Sequence, residues 1–288
     1  MNAALGGVLA AVSWGSADFI ARYTGGALGH VNALFGMLAT SALVLTGIVL
    51  VMDLAIAGSM AGWWQVLLMG AGLTLATLLL YQGLVRGPVT VAAPIAGTFP
   101  AFNILLALAL GVRPTALEWA AMAAVMAGVF VVVRSARHYE TGGHYTRAQL
   151  RSTVMISLGA SFSFAVTVAA GQEAGAIYGD VQAVFLGRWI SLACCILLLA
   201  VRREPPRIPL RWWPLLGAQG VLDGTALVAV VAGSQGAGSA ATAVLASGFS
   251  AVTVVLARVF IRETMSWGQW SGIAIILAGV AMLSGLQA

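Results

Sequence analysis

Asp223 is the residue of this chain hardest to explain as packing. It sits mid-way along an apolar run from Trp212 to Ala232, where a carboxylate costs about 2.5–3.5 kcal/mol if the run lies in lipid. A group that expensive faces a cavity, a partner or a proton. It would hold the ammonium of a solute or exchange a proton; the plain alternative is a neutral Asp hydrogen-bonded to a helix. Asp18 and Arg22 stand four apart and are expected to pair with each other near a membrane boundary, in preference to ligand binding by Asp18. Arg188, about two turns into its own run, is expected to snorkel toward the interface rather than meet a substrate carboxylate.

Rings and hinge residues are the other candidates. Trp14, Phe164 and Tyr81 could stack on a planar solute while Gln82 orients its polar end. Taken singly, each ring reads more readily as packing or interfacial anchoring. Pro94, Gly97 and Pro100 fall within one apolar run; each proline removes a donor and frees a carbonyl one turn earlier, so a helix there must bend. In lipid the freed carbonyls need neighbouring helices or a wet cavity. The corresponding late run has no proline but carries Ser247, Gly248 and Ser250, small residues that permit close approach and flexing.

No catalytic constellation is visible, and no cofactor or metal is expected. His30, His138 and His144 lie in polar connections; with Glu140, the last two would chelate a metal weakly, and a solvated loop is the expected state. Cys194 and Cys195 are adjacent in an apolar run, where helical neighbours point apart and simply pack. Glycines four apart, Gly220/Gly224 and Gly268/Gly272, suggest close helix packing rather than phosphate loops.

The elements that position these residues follow from composition. Of the 288 residues 60% are hydrophobic and 8% charged, with mean hydropathy +0.97. A water-facing surface needs roughly a quarter charged residues, so lipid must be the solvent. The formal charge of +5 comes from fourteen arginines and no lysine, placed between apolar runs. That placement carries topology information and argues against nucleic acid as a partner. Apolar runs occupy Ala3–Ala21, Val31–Met52, Trp63–Val85, Val89–Leu110, Ala116–Val133, Val154–Gly171, Val181–Val201, Trp212–Ala232, Ala240–Phe260 and Trp267–Leu286. Each is near the length of about 20 residues that a transmembrane helix needs. The first run has no basic residue before Arg22, unlike a signal peptide, and is expected to be retained.

A repeat runs through these segments. Val31–Phe35 matches Val181–Phe185, Ser13-Trp14 matches Ser163-Phe164, and Phe99–Phe102 matches Phe249–Val252, all at an offset of 150. Trp63-Trp64 and Trp212-Trp213 match at 149. The expected fold class is an all-α integral membrane protein of about ten transmembrane helices. It divides into a first repeat at 1–133, a polar loop at 134–151 and a second repeat at 152–288. An odd number of spans per half makes the repeats inverted, the arrangement that supplies two equivalent gates.

The motifs then become specific. Trp14-Gly15-Ser16, FPAFNILLALALGVRPTALEW from Phe99, and FSAVTVVLARVFIRETMSWGQWSG from Phe249 resemble the EamA family of the drug/metabolite transporter superfamily. Pro100 and Glu263 fit that family's repeated segment; Ser250 and Arg113 depart from it in the opposite copies. The chain looks most similar to bacterial aromatic amino acid exporters, which carry aromatic residues before the proline where this chain has Thr98-Phe99-Pro100. The resemblance implies a small-molecule substrate, amino acid export by alternating access, open proton coupling, no enzyme activity and a bacterial inner membrane. With the residues singled out above, the candidate binding residues are Trp14, Tyr81, Gln82, Thr98, Phe99, Pro100, Phe164 and Asp223, with Pro94, Gly97, Pro100 and Gly248 as hinges. A lipid-linked flippase is the nearest alternative, and a non-transporting scaffold one from another class. Twelve arginines fall toward one face, against Arg113 and Arg188 on the other, so the central loop is expected in the cytoplasm.

Overall fold

A computed structural model describes residues 3–53, 61–109, 111, 113, 115–138, 145–233, 242, 245–262 and 265–285. The regular elements among them are helical: α1 (Ala3–Leu28), α2 (His30–Val51), α3 (Trp63–Arg86), α4 (Val89–Ala96), α5 (Phe99–Ala109), α6 (Ala116–His138), α7 (Arg147–Tyr178), α8 (Asp180–Arg202), α9 (Trp213–Gly233), α10 (Phe249–Leu256) and α11 (Trp267–Gly285). Six stretches among the described residues are long and apolar enough to cross a bilayer: His30–Val51, Trp63–Arg86, Val89–Leu106, Arg147–Tyr178, Asp180–Arg202 and Leu210–Gly233. Shorter apolar helices, Trp119–Ser135, Leu245–Ile261 and Trp267–Met282, join them. Leu43, Val51, Phe130, Met155, Leu197 and Phe260 point outward, which suits a lipid-facing surface in which every backbone group is satisfied within a helix.

Helix directions follow from which residues meet. Arg22 of α1 donates to the carbonyls of Leu84 and Val85 at the end of α3, so α1 and α3 finish at the same end. A Cβ at Gly62 would touch Ile177, and one at Gly87 would touch Thr153. Thus α7 starts where α3 ends and runs against it. The second half therefore begins in the direction opposite to the first.

The sequence repeat has a geometric counterpart. Gly29 between α1 and α2 has φ 80° and ψ 147°, and Gly179 between α7 and α8 has φ 87° and ψ 151°. Both positions need a left-handed φ that glycine adopts without strain. Gly70 packs on the carbonyl of Gly187, at 2.8 Å from a would-be Cβ, while Gly220 packs on that of Met37, at 2.7 Å. Those two contacts exchange under the offset of 150. Small residues at such crossings let backbones approach where no water drives association. Gly272 does the same between α11 and α6, lying 2.9 Å by its would-be Cβ from the Gly128 carbonyl.

Candidate functional site

The segment read as one bent helix is two helices. Gly97 and Thr98 interrupt it: Gly97 N–H still donates to Ala93, but Thr98 N–H turns to Ile95 O at 3.1 Å and Ala101 N–H to Thr98 O at 3.0 Å. Pro100 sits in the first turn of α5, where no donor is needed. The Thr98 hydroxyl donates to Ile95 O at 2.7 Å, satisfying a carbonyl released by the break. The same break recurs 150 residues later without a proline. Gly248 N–H donates to Leu245 O at 3.1 Å and Ala251 N–H to Gly248 O at 3.0 Å, while the Ser250 hydroxyl donates to Ser247 O at 3.1 Å. The two breaks face each other: a Cβ on Gly97 would lie 3.0 Å from Ser250 Oγ and 3.1 Å from its Cβ.

Beside this crossing lies a closed cleft lined by Trp14, Asp18, Thr77, Leu80, Phe99, Phe164, Val168, Asp223 and Phe249. Three pairs among these are related by the repeat offset: Trp14 with Phe164, Phe99 with Phe249, and Asp18 with Val168. Trp14 anchors the rings, its centroid 6.3 Å from Phe164 and 6.0 Å edge-on from Phe249. Only about 10 Å³ is open to a water molecule, roughly the space that one water needs. The cleft is shut.

Its charges are arranged otherwise than the sequence reading had it. Arg188 does not snorkel. It is 0% exposed, with Nη1 2.6 Å from Asp223 Oδ2 and 3.9 Å from Met37 Sδ. The contact with Asp223 is ionic rather than a well-aligned hydrogen bond, and Nε and Nη2 of Arg188 have no partner. Burying the pair is the physical reason for the difference: in hydrocarbon, two opposite charges at one depth meet sooner than either reaches water. Nor do Asp18 and Arg22 pair, because Arg22 is held by α3 carbonyls, that of Val85 at 2.7 Å. Asp18 is left in the cleft, 6% exposed, with no cation beside it among the described residues.

A second polar layer borders the cleft. Gln219, one helical turn before Asp223 on α9, donates through Nε2 to the Tyr81 hydroxyl and accepts from the Thr24 hydroxyl at 3.0 Å. This chain ties α3, α9 and α1 together. The Thr77 hydroxyl, 3% exposed, has no partner.

The candidate residues therefore separate. Trp14, Phe99, Phe164 and Asp223 line the cleft together. Tyr81 belongs to the bordering layer, and Thr98 bonds across to Ser161 Oγ at 3.0 Å. Gln82 is not brought in: with its amide turned so that oxygen meets donors, it accepts from Arg86 at 3.2 and 3.3 Å. Pro94, Gly97, Pro100 and Gly248 all lie at or next to the two breaks. The sequence reading missed Asp18, Arg188, Gln219 and Phe249 as members of this region. Two signals were available: equal and opposite midspan charges at Arg188 and Asp223, and Phe249 as the repeat mate of Phe99. The loop bearing Glu140 and His144, the His138 side chain and Glu263 lie outside the described residues.

No curated protein sequence matches the chain significantly. A solved crystal structure superposes with a TM-score of 0.69 at 18% identity, over 99% of this chain and 96% of the other; at that identity it speaks for the fold alone. The model of the EamA-like transporter family matches twice, at residues 1–134 and 151–285. Two family matches in tandem, apolar helices long enough to cross a bilayer and a shut polar cleft between the halves lead to one conclusion: the chain belongs to the EamA-like transporter family and is a multi-pass membrane protein.

Proposed function

We propose that the protein exports apolar or aromatic amino acids, or closely related small metabolites, by alternating access. In this reading it has ten transmembrane segments in two inverted repeats, 1–133 and 152–288, joined by the polar loop 134–151. The membrane is the bacterial inner membrane, and the loop faces the cytoplasm because arginines crowd that end. Coupling to protons would act through the cleft carboxylates.

One observation carries the proposal. The two broken helices cross at Gly97 and Ser250, beside a cleft to which both halves contribute equivalent rings. Discontinuous helices at a repeat interface suit a gate: the short pieces α4, α5 and α10 can rock about Gly97 and Gly248 while the longer helices keep their packing. Aromatic walls suit an apolar side chain, and the carboxylates suit its amino group. An enzyme would need reactive groups disposed around a bound substrate, and the cleft wall offers rings, two carboxylates and a hydroxyl, with the Asp223 carboxylate already paired to Arg188 behind it.

Cross-linking tests the motion. In a background with Cys194→Ala and Cys195→Ala, the pair Gly97→Cys and Ser250→Cys places two Cβ atoms 3.1 Å apart, so that a small outward shift reaches the roughly 3.5–4.5 Å of a disulfide. Oxidation should stop efflux of labelled phenylalanine or leucine from proteoliposomes, and reductant should restore it. Efflux that continues through a completed cross-link would overturn the gate.

A further inference from the structure

We propose that the cleft recognises its substrate by a protonated amine, held at Asp18, and requires no carboxylate. The ligands it takes are organic ammonium ions with an apolar or aromatic body, amino acids among them. This rests on the transporter reading and names the chemistry that it selects.

Charge balance is the first argument. Asp223 already has its counter-ion in Arg188, at 2.6 Å. Asp18 has none among the described residues, because Arg22 of the same helix is engaged by Leu84 and Val85 of α3. No basic side chain lines the cleft among the described residues, and Arg188 stands behind Asp223 rather than in the wall. A carboxylate almost wholly out of water is stabilised by an opposite charge, and a monovalent cation supplies one. An entering anion would meet the uncompensated Asp18 and an Asp223 whose counter-ion is already engaged.

The walls make the same choice. Trp14, Phe164, Phe99 and Phe249 line the same cleft as the acid, and ring faces attract cations and repel anions. Trp14 precedes Asp18 by four residues on α1, so ring and carboxylate share one helix face. The Thr77 hydroxyl, buried and without a partner, is a second acceptor for an ammonium proton. The rings come as repeat-related pairs, but the mate of Asp18 is Val168. The cleft therefore has one polar pole in a nearly symmetric aromatic box, and an amine with one apolar arm fits that polarity.

Three compounds sharing one ring separate the possibilities: phenylalanine, 2-phenylethylamine and 3-phenylpropionate, each labelled and measured by counterflow in proteoliposomes. The two amines should be carried and the acid should not. Asp18→Asn should weaken apparent affinity for both amines by roughly tenfold or more, the scale of one lost charge-assisted contact, while Asp18→Glu retains part of it. Unchanged gel-filtration behaviour of both variants would show that the loss is not misfolding. Equal transport of 3-phenylpropionate, transport of phenylalanine alone, or wild-type amine affinity in Asp18→Asn would each overturn the ammonium site and leave the transporter reading standing. Failure of folded wild-type protein to carry any of the three would overturn both.

Discussion

Replacing Arg188 or Asp223 alone should damage the protein far more than replacing both. At 2.6 Å the pair attracts by about 6 kcal/mol if the effective dielectric constant is near 20, and most of that offsets the cost of taking two charges out of water. Arg188→Gln strands the Asp223 carboxylate, and Asp223→Asn strands a guanidinium that is 0% exposed and already has two partnerless nitrogens. Each single change should therefore cost about 3–5 kcal/mol. In Arg188→Gln/Asp223→Asn neither charge of the pair is left stranded, and much of that loss should be recovered, giving a coupling of several kcal/mol. Equilibrium SDS titration in mixed micelles measures it, with reactivity of the buried Cys195 thiol as the reporter of opening. Single-variant losses that simply add, within about 0.5 kcal/mol, would refute the pairing as a functional unit of the core.

Other perturbations probe other parts of the structure. Tyr81→Phe removes the acceptor for Gln219 and should cost about 1–3 kcal/mol, the penalty for a buried donor left unpaired, in the same titration. Gly272→Ala places a Cβ 2.9 Å from the Gly128 carbonyl, which cannot give way as a side chain can; forcing α6 and α11 apart should cost about 1–3 kcal/mol. Gly97→Val should slow transport more than it lowers stability, because its branches press on Ser250 at the crossing; equal transport at wild-type rate would argue against a gate there. A single cysteine introduced between 138 and 144 should escape an impermeant thiol reagent added to intact cells, and modification from outside would reverse the orientation.

The architecture was legible because lipid imposes a coarse rule. Apolar runs near 20 residues separated by Arg, Gly and Pro locate helices directly, and α2, α3, α8 and α9 begin and end within about two residues of their runs. Helices that project into water were harder. α7 starts at Arg147 and ends at Tyr178, several residues beyond the apolar run at each end; the Thr146 capping box supports the polar first turn, and Gly179, with φ 87°, marks the other end. At the site, rings and a lone midspan acid announced themselves by their rarity. The charges misled for a local reason: i, i+4 spacing joined Asp18 to Arg22, and side-chain length sent Arg188 outward. Tertiary contacts decided otherwise, since the α3 carbonyls and Asp223 come from segments some 60 and 35 residues away. Only packing reveals such partners; Gln82, by contrast, is taken up locally by Arg86, four residues on along α3.

Efflux of labelled phenylalanine and leucine from proteoliposomes, against vesicles without protein and with or without a pH gradient, tests the transport function most directly. Saturable efflux that exceeds the protein-free rate is expected, and dependence on the gradient would assign proton coupling to the cleft carboxylates. Rates equal to those of empty vesicles for every amino acid, from protein shown to be folded, would contradict amino acid export.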